Sequence, residues 1–201
     1  MPEVLDATLP DAARVVAETR AWMRRAVIGL NLCPFARAVD AKDQVRYVAT
    51  AAADAESLLR VLVDELQWLA EADPAEVDTT LLVHPRAFAD FEAFNDFLEL
   101  ADAAVEELGL EGELQVASFH PRYQFADTEP DDVTNATNRA PYPTLHLLRE
   151  ASVDRAVAAF PEAEAIFERN METLERLGAE GWDRLRAQWE SDADAEGPQG
   201  A

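Results

Sequence analysis

Residues 79–122 read TTLLVHPRAFADFEAFNDFLELADAAVEELGLEGELQVASFHPR, and their order decides the fold class. An apolar run, Thr79–Val83, ends in His84-Pro85-Arg86. A long segment with apolar positions at helical spacing, Phe88 to Leu108, comes next, its aromatics Phe88, Phe91, Phe94 and Phe97 falling on every third residue. Gly109 and Gly112 bracket a turn, and a second run, Glu113–Phe119, ends in the same tripeptide, His120-Pro121-Arg122. Strand, helix and strand in that order point to a crossover between parallel strands. Proline pushes the residue before it toward extended backbone. His84 and His120 are therefore expected at the last extended position of their strands, on the carboxyl rim where open α/β sheets bind ligands. The plainer alternative is that His-Pro only closes each strand and the imidazole caps a carbonyl.

The same alternation extends upstream. Gln44–Thr50 reads as a strand, and Asp54–Glu71 as an amphipathic helix with Leu58, Leu59, Leu62, Leu66 and Leu69 on one face, broken at Asp73-Pro74. Asp11 is placed to cap a helix carrying Val15, Val16, Trp22, Met23 and Val27, which Gly29 and Asn31 end. Residues 1–10 read as a loose leader. Downstream, Thr144–Leu148 reads as a fourth strand of open direction, and Ser152 as the cap of a short helix. Pro161, with Glu162 and Glu164, suits the first turn of a longer helix that Gly178 stops. Trp182–Trp189 reads as a last short helix, and Ser191–Ala201 as a disordered acidic tail. The expected architecture is α/β, one domain over residues 11–190. It has a mostly parallel sheet of about four strands, flanking helices and a helical C-terminal part.

The chain of 201 residues carries 17 Lys and Arg against 40 Asp and Glu, a net charge of −23. Lys42 is the only lysine. That field argues against nucleic acid and anionic membranes as partners. The apolar content of 49% is too high for a disordered chain. Arginine in place of lysine fits either a GC-rich genome or a salt-adapted, strongly hydrated surface. A single cysteine, Cys33, excludes an internal disulfide and an all-cysteine metal cage. No apolar stretch is long enough to cross a membrane. The start of the chain lacks a basic segment followed by an apolar core, so a cytoplasmic protein is expected. Oligomeric state is not legible.

The densest chemistry lies in residues 119–150, FHPRYQFADTEPDDVTNATNRAPYPTLHLLRE. This stretch is free of glycine and stiffened by Pro121, Pro130, Pro141 and Pro143. Stiffness suits a preorganised site. Arg122, Arg139 and Arg149 offer planar donors for a carboxylate or phosphate. Asn135 and Asn138 can donate and accept, Tyr123 and Tyr142 can form walls, and Asp131 and Asp132 can orient a histidine or pair with the arginines. A loop pinned to the sheet by Arg–Asp pairs and Asn turns is the structural alternative.

At these residues the chain resembles family 1415 of the domains of unknown function, found mainly in proteobacteria. The resemblance rests on Gly29-Leu30-Asn31-Leu32-Cys33-Pro34-Phe35, on Phe119 through Ala126, and on Asp131-Asp132. It continues through Asn135, Thr137-Asn138-Arg139 and Pro141-Tyr142-Pro143 to His146-Leu147-Leu148-Arg149-Glu150, and spans roughly residues 12–180. It carries no reaction with it.

Three chemistries fit the residue types. Cys33 is a candidate nucleophile, with His120 or His146 as base and Asn135, Asn138 or Asp132 orienting it. A lone cysteine beside Leu32 and Phe35 is more often a small buried apolar residue. His84, His120 and His146, with Cys33 or Asp132, are weak metal-ligand candidates, because no local pair of ligands exists and the fold alone would have to gather them. Arg122, Arg139 and Arg149, walled by Tyr123 and Tyr142, suit a polar, anionic small molecule. No phosphate-cradling glycine loop is present, and no cofactor is implied. The leading expectation is a site for such a molecule, catalytic or binding, between Cys33, His120 and the 122–149 segment on the strand rim. The alternatives are a non-catalytic interaction module or a metal-binding protein.

Overall fold

The computed structural model describes residues 3–9, 11–159 and 165–196. Its strands are β1 (Glu3–Leu5), β2 (Val45–Ala49), β3 (Thr79–Val83), β4 (Leu114–Phe119) and β5 (Thr144–Arg149). The helices are α1 (Ala12–Trp22), which continues as a π-helical turn (Met23–Ile28), α2 (Ala36–Asp40), α3 (Ala55–Glu71), α4 (Phe91–Glu107), α5 (Glu150–Ala159) and α6 (Ile166–Glu196). A 3₁₀ turn spans Val133–Asn138. The strands form one mixed sheet in the order β1-β2-β3-β5-β4. β1, β2 and β3 pair in parallel, whereas β5 is antiparallel to both of its neighbours. The three strands read as parallel do share one direction, but β5 separates β3 from β4.

Alternate residues divide the sheet into two faces. Val48, Leu82, Leu145 and Leu147 pack under α3 and α4 around Leu58, Leu62, Leu66, Phe94 and Phe97. Tyr47, Leu81, Val83 and Phe119 pack on the other face, under α1, the π-turn and α6, around Val16, Trp22, Met23 and Leu174. Arg46, buried beneath α3, donates to both oxygens of Glu65 at 2.9 and 3.1 Å and lies 3.8 Å over the ring of Trp68. Such a pair tolerates burial because each charge is fully met.

The helix ends follow local chemistry, with some corrections to the sequence reading. Asp54 caps α3 in a reciprocal box with Ser57. α4 starts three residues later than expected: Asp90 caps it by accepting from the Ala93 N–H, and Phe88 just before it has φ +57°. Asp11 precedes α1 but does not cap it, since its backbone is left-handed and its side chain makes no capping bond. Ser152 lies inside α5, where its hydroxyl donates to Asp78 at 2.6 Å. The leader is not loose throughout, because Glu3–Leu5 forms the edge strand β1 on β2. Residues 191–196, assigned to a disordered tail, instead belong to α6, whose helix is interrupted at Gly178, φ +69°. Pro161, Glu162, Glu164 and residues 197–201 lie outside the described residues.

The junction after the π-turn depends on Gly29. A Cβ built there would stand 2.1 Å from the Arg25 carbonyl oxygen. Gly29→Ala is expected to lower stability by about 2 kcal/mol or more through this clash. Gly112→Ala, at φ +77° with open space around it, is expected to cost about 1 kcal/mol of backbone strain. Urea midpoints of the two variants check the difference.

Candidate functional site

The segment Gly29–Phe35 turns the chain back under the sheet. The π-turn widens the end of α1, and such turns recur at functional sites. The Val27 carbonyl accepts from the Leu32 and Cys33 N–H groups, at 2.9 and 3.5 Å. Asn31 takes a left-handed backbone, φ +57°, which asparagine tolerates better than most residues. Leu32 is thereby buried in the core, while Cys33 and Phe35 line a cavity of about 280 Å³. Trp22, Met23, Val27 and Phe119 supply more of its apolar wall; Thr79 and His146 are among its polar groups.

His146 sits in the middle of β5, directly opposite Leu81 on β3 and Ala117 on β4. Thr79 Oγ1 lies 2.6 Å from the Leu147 carbonyl oxygen and 2.8 Å from His146 Nε2. The ring lies deep within the protein, and burial pushes its pKa down to about 4. It nevertheless keeps accessible surface, because that surface faces the cavity. Burial also pushes the Cys33 thiol up, opposed only in part by the N–H groups of Phe35 and Ala36. Both groups are thus neutral near pH 7, a thiol and an imidazole in an apolar chamber. No hydrogen bond among the described residues joins Cys33 to a histidine, so the nucleophile–base pair is not assembled in this conformation.

His120 lies elsewhere. It and His84 end β4 and β3 as the Pro residues require, but both rings enter an aromatic cluster on the α4 side of the sheet. His120 stacks on Phe94 at 5.4 Å and also meets Phe91, while His84 meets Phe94 and Phe88. His120 Nδ1 accepts from the Arg122 N–H at 3.0 Å, which leaves Nε2–H to donate to the Phe88 carbonyl, also at 3.0 Å. His84 is wholly buried and donates from Nδ1 toward the Ala87 carbonyl, while its Nε2 has no partner. Burial lowers both pKa values, that of His84 to about 3. The carbonyl-capping alternative describes both residues.

The 120–143 loop satisfies itself in the same way. Asn135, fully buried, accepts from the Phe125 N–H and the Thr128 hydroxyl and donates to the Glu129 carbonyl. Asp132 caps the 3₁₀ turn through Thr134, and the hydrogen bonds hold its carboxyl below the usual carboxylate range. Asn138 donates to the Ser118 carbonyl, and Tyr123 stacks on Phe91 and Phe125. Tyr142 donates to the carboxylate of Glu18, which also holds Arg14.

The three arginines do not share a pocket. Arg122 reaches the Ala89 carbonyl and Asp90. Arg139 donates to the Tyr123 and Pro130 carbonyls. Arg149 donates to the carbonyls of Leu69, Ala72 and Val77, closing the end of α3. Of the three, Arg139 also borders a cleft of about 270 Å³ facing Trp182, with Asp131 and Arg186 beside it. Metal coordination by His84, His120 and His146 together is not formed, since His146 lies on the opposite face of the sheet from the other two. Among the described residues no three His, Cys, Asp or Glu side chains gather as a metal site.

Of the expected residues, Cys33 and His146 line this chamber, Arg139 borders the cleft facing Trp182, and the others make the contacts described above. The chamber lies against the sheet face near the amino ends of β2 and β3, at Val45 and Thr79, not on the carboxyl rim. Sequence reasoning missed Thr79, a hydroxyl at a strand start with no distinguishing pattern, and the π-turn, whose only trace was the Gly29–Phe35 string.

A family model described as "Protein of unknown function (DUF1415)" matches residues 14–184. No curated protein and no solved structure matches the chain. No helix among the described residues is long and apolar enough to cross a membrane.

Two measurements check this assignment of roles. Arg149→Ala is expected to cost about 2 kcal/mol by stranding carbonyls at the end of α3. Arg149→Lys should recover less than half of it, because one ammonium cannot span the three acceptors. The second measurement is the pH profile. His84 and His146 titrate in the folded state at about 3 and 4, below the unfolded value of about 6.5. The unfolded chain therefore binds more protons between those values, and stability, complete above about pH 6.5, falls as pH drops through that window. At roughly 0.5 M salt, which screens surface charge, urea unfolding should show a loss on the order of a few kcal/mol between about pH 7 and 5. A flat profile would contradict the buried neutral imidazoles.

Proposed function

The chain belongs to the family described as protein of unknown function (DUF1415), a description that transfers no reaction, and we propose from the cavity that it binds a small molecule with an apolar body. The observation that carries this reading is the chamber of about 280 Å³ between the π-turn, α5 and the sheet. A cavity of about 150 Å³ already accommodates benzene, so this one suits one or two fused rings or a short acyl chain. The chamber shares Phe35, Val39, Asp78, Ser152 and Ala156 with an outer cleft of about 480 Å³. That cleft carries Lys42 and Arg155, and there the expectation of an anionic group on the ligand keeps a foothold in a protein of charge −23.

Binding, not turnover, is the reading favoured by the chemistry of the walls. A neutral thiol and a neutral imidazole that do not touch form no nucleophile. The arginines expected to seize an anion are engaged by backbone carbonyls. A free thiol lining the chamber suits a reducing compartment, and the cytoplasm is the proposed location. Nucleic acid is not a proposed partner, on grounds of charge.

The test is a thermal-shift series of naphthalene derivatives and medium-chain fatty acids on the wild type and on Val27→Trp, which fills the chamber. Ligand at 100 times its Kd should stabilise the wild type by about 2.7 kcal/mol. The variant should be more stable without ligand or unchanged, and indifferent to the compounds. Equal shifts in both proteins would place binding elsewhere and overturn the reading.

A further inference from the structure

The hydrogen bonds around His146 determine which ligands the chamber accepts. The Thr79 hydroxyl has a single proton, and a carbonyl oxygen only accepts. Its 2.6 Å contact with the Leu147 oxygen consumes that proton. The 2.8 Å contact between Thr79 Oγ1 and His146 Nε2 is then N–H donating to oxygen. The proton of the neutral ring is thus held on Nε2, and Nδ1 keeps its lone pair. Among the described residues nothing hydrogen-bonds Nδ1, nor is it one of the polar atoms shut off from solvent without a partner. The ring borders the cavity, so this acceptor is the group left to meet a ligand.

We propose that His146 selects molecules carrying a neutral hydrogen-bond donor, a hydroxyl or an N–H, on an apolar ring-sized body, and that it disfavours a carboxylate at the inner end of the chamber. The inference rests on the binding reading above and deepens it by naming the ligand class. An anion could pair with His146 only if the ring took up a proton, which its burial opposes. Beside His146, none of Cys33, Thr79 and Ser152 compensates an anion, and Gln115 is the neutral amide donor on the chamber's β4 side. Cys33 is a neutral thiol, Thr79 has spent its proton on Leu147, and the Ser152 hydroxyl donates to Asp78, itself a negative charge. A donor on the ligand gains a hydrogen bond against apolar walls, whereas a pure hydrocarbon that covers the ring leaves Nδ1 desolvated and unpaired.

Three probes with one ring system separate the cases: 2-naphthol, naphthalene and 2-naphthoate, titrated by calorimetry into the full chain. The expected order is naphthol about 10-fold tighter than naphthalene. Naphthoate, whose carboxylate can reach Lys42 and Arg155 only by facing away from His146, should bind equally to the wild type and to His146→Phe. In His146→Phe, naphthalene should bind as before and the advantage of naphthol should vanish. Because that variant replaces a buried side chain, ¹⁵N NMR of the wild-type imidazole provides an independent readout. It should show Nε2 protonated and Nδ1 bare, with the Nδ1 resonance moving when naphthol binds and not when naphthalene does. Equal affinity of naphthol and naphthalene, a loss of naphthoate affinity in His146→Phe, or an Nδ1-protonated ring would overturn the inference while leaving the chamber a binding site. Binding of none of the three would instead remove the binding reading itself.

Discussion

Strand β5 has no free edge, and that constraint organises the molecule. Its backbone pairs with β3 along one side and β4 along the other, both antiparallel. To enter that slot the chain must leave β4 at the carboxyl rim, cross it through residues 120–143 and return against the direction of the other strands. The same path lays loop over the rim, and between that loop and α6 lies the cleft of about 270 Å³ that Arg139 borders. The Pro143 carbonyl accepts from the His84 N–H, and the Asn138 carbonyl from the His120 N–H, which ties the returning segment to both strand ends. The chamber lies toward the opposite end of one sheet face, where β5 carries His146.

The repeated His-Pro-Arg element shows how a local reading leaves a side chain's surroundings undecided. Proline did set the histidines at the strand ends. The aromatics of α4, spaced at three residues, then took both rings into one cluster, with carbonyls as their polar partners. A neutral imidazole in such a cluster is a flat aromatic with one donor and one acceptor, which is what closing a strand against a helix requires. The sequence contained both the histidines and the phenylalanines, but not the fact that β5 would hold the two strands apart while α4 bridged them.

The arginines follow the same logic. As planar donors on a glycine-free, proline-rich segment they looked like anion receptors. Buried backbone carbonyls set the stronger local demand. Helix ends and irregular loops leave such carbonyls unpaired, and a planar guanidinium can satisfy several at once. Arg139 and Arg149 do this for the loop and for α3. The Gly-free, proline-rich stretch is held by its own hydrogen bonds, which carry the chain from β4 into β5.

By itself the sequence determined the class, the bodies of α1, α3 and α4, and four of the strands, because apolar periodicity and caps such as Asp54 act over a few residues. It also pointed to Cys33 and His146 within a larger set of polar candidates. Only the tertiary structure decided the place and direction of β5, the pairing of the short edge strand β1, and which candidates share a cavity. Strand order depends on contacts between residues far apart in the chain, and no local pattern encodes them. The chamber depends on them too: its wall is assembled from residues 22–39, 78–81, 115–119 and 146–156, and no one of those stretches encloses space alone.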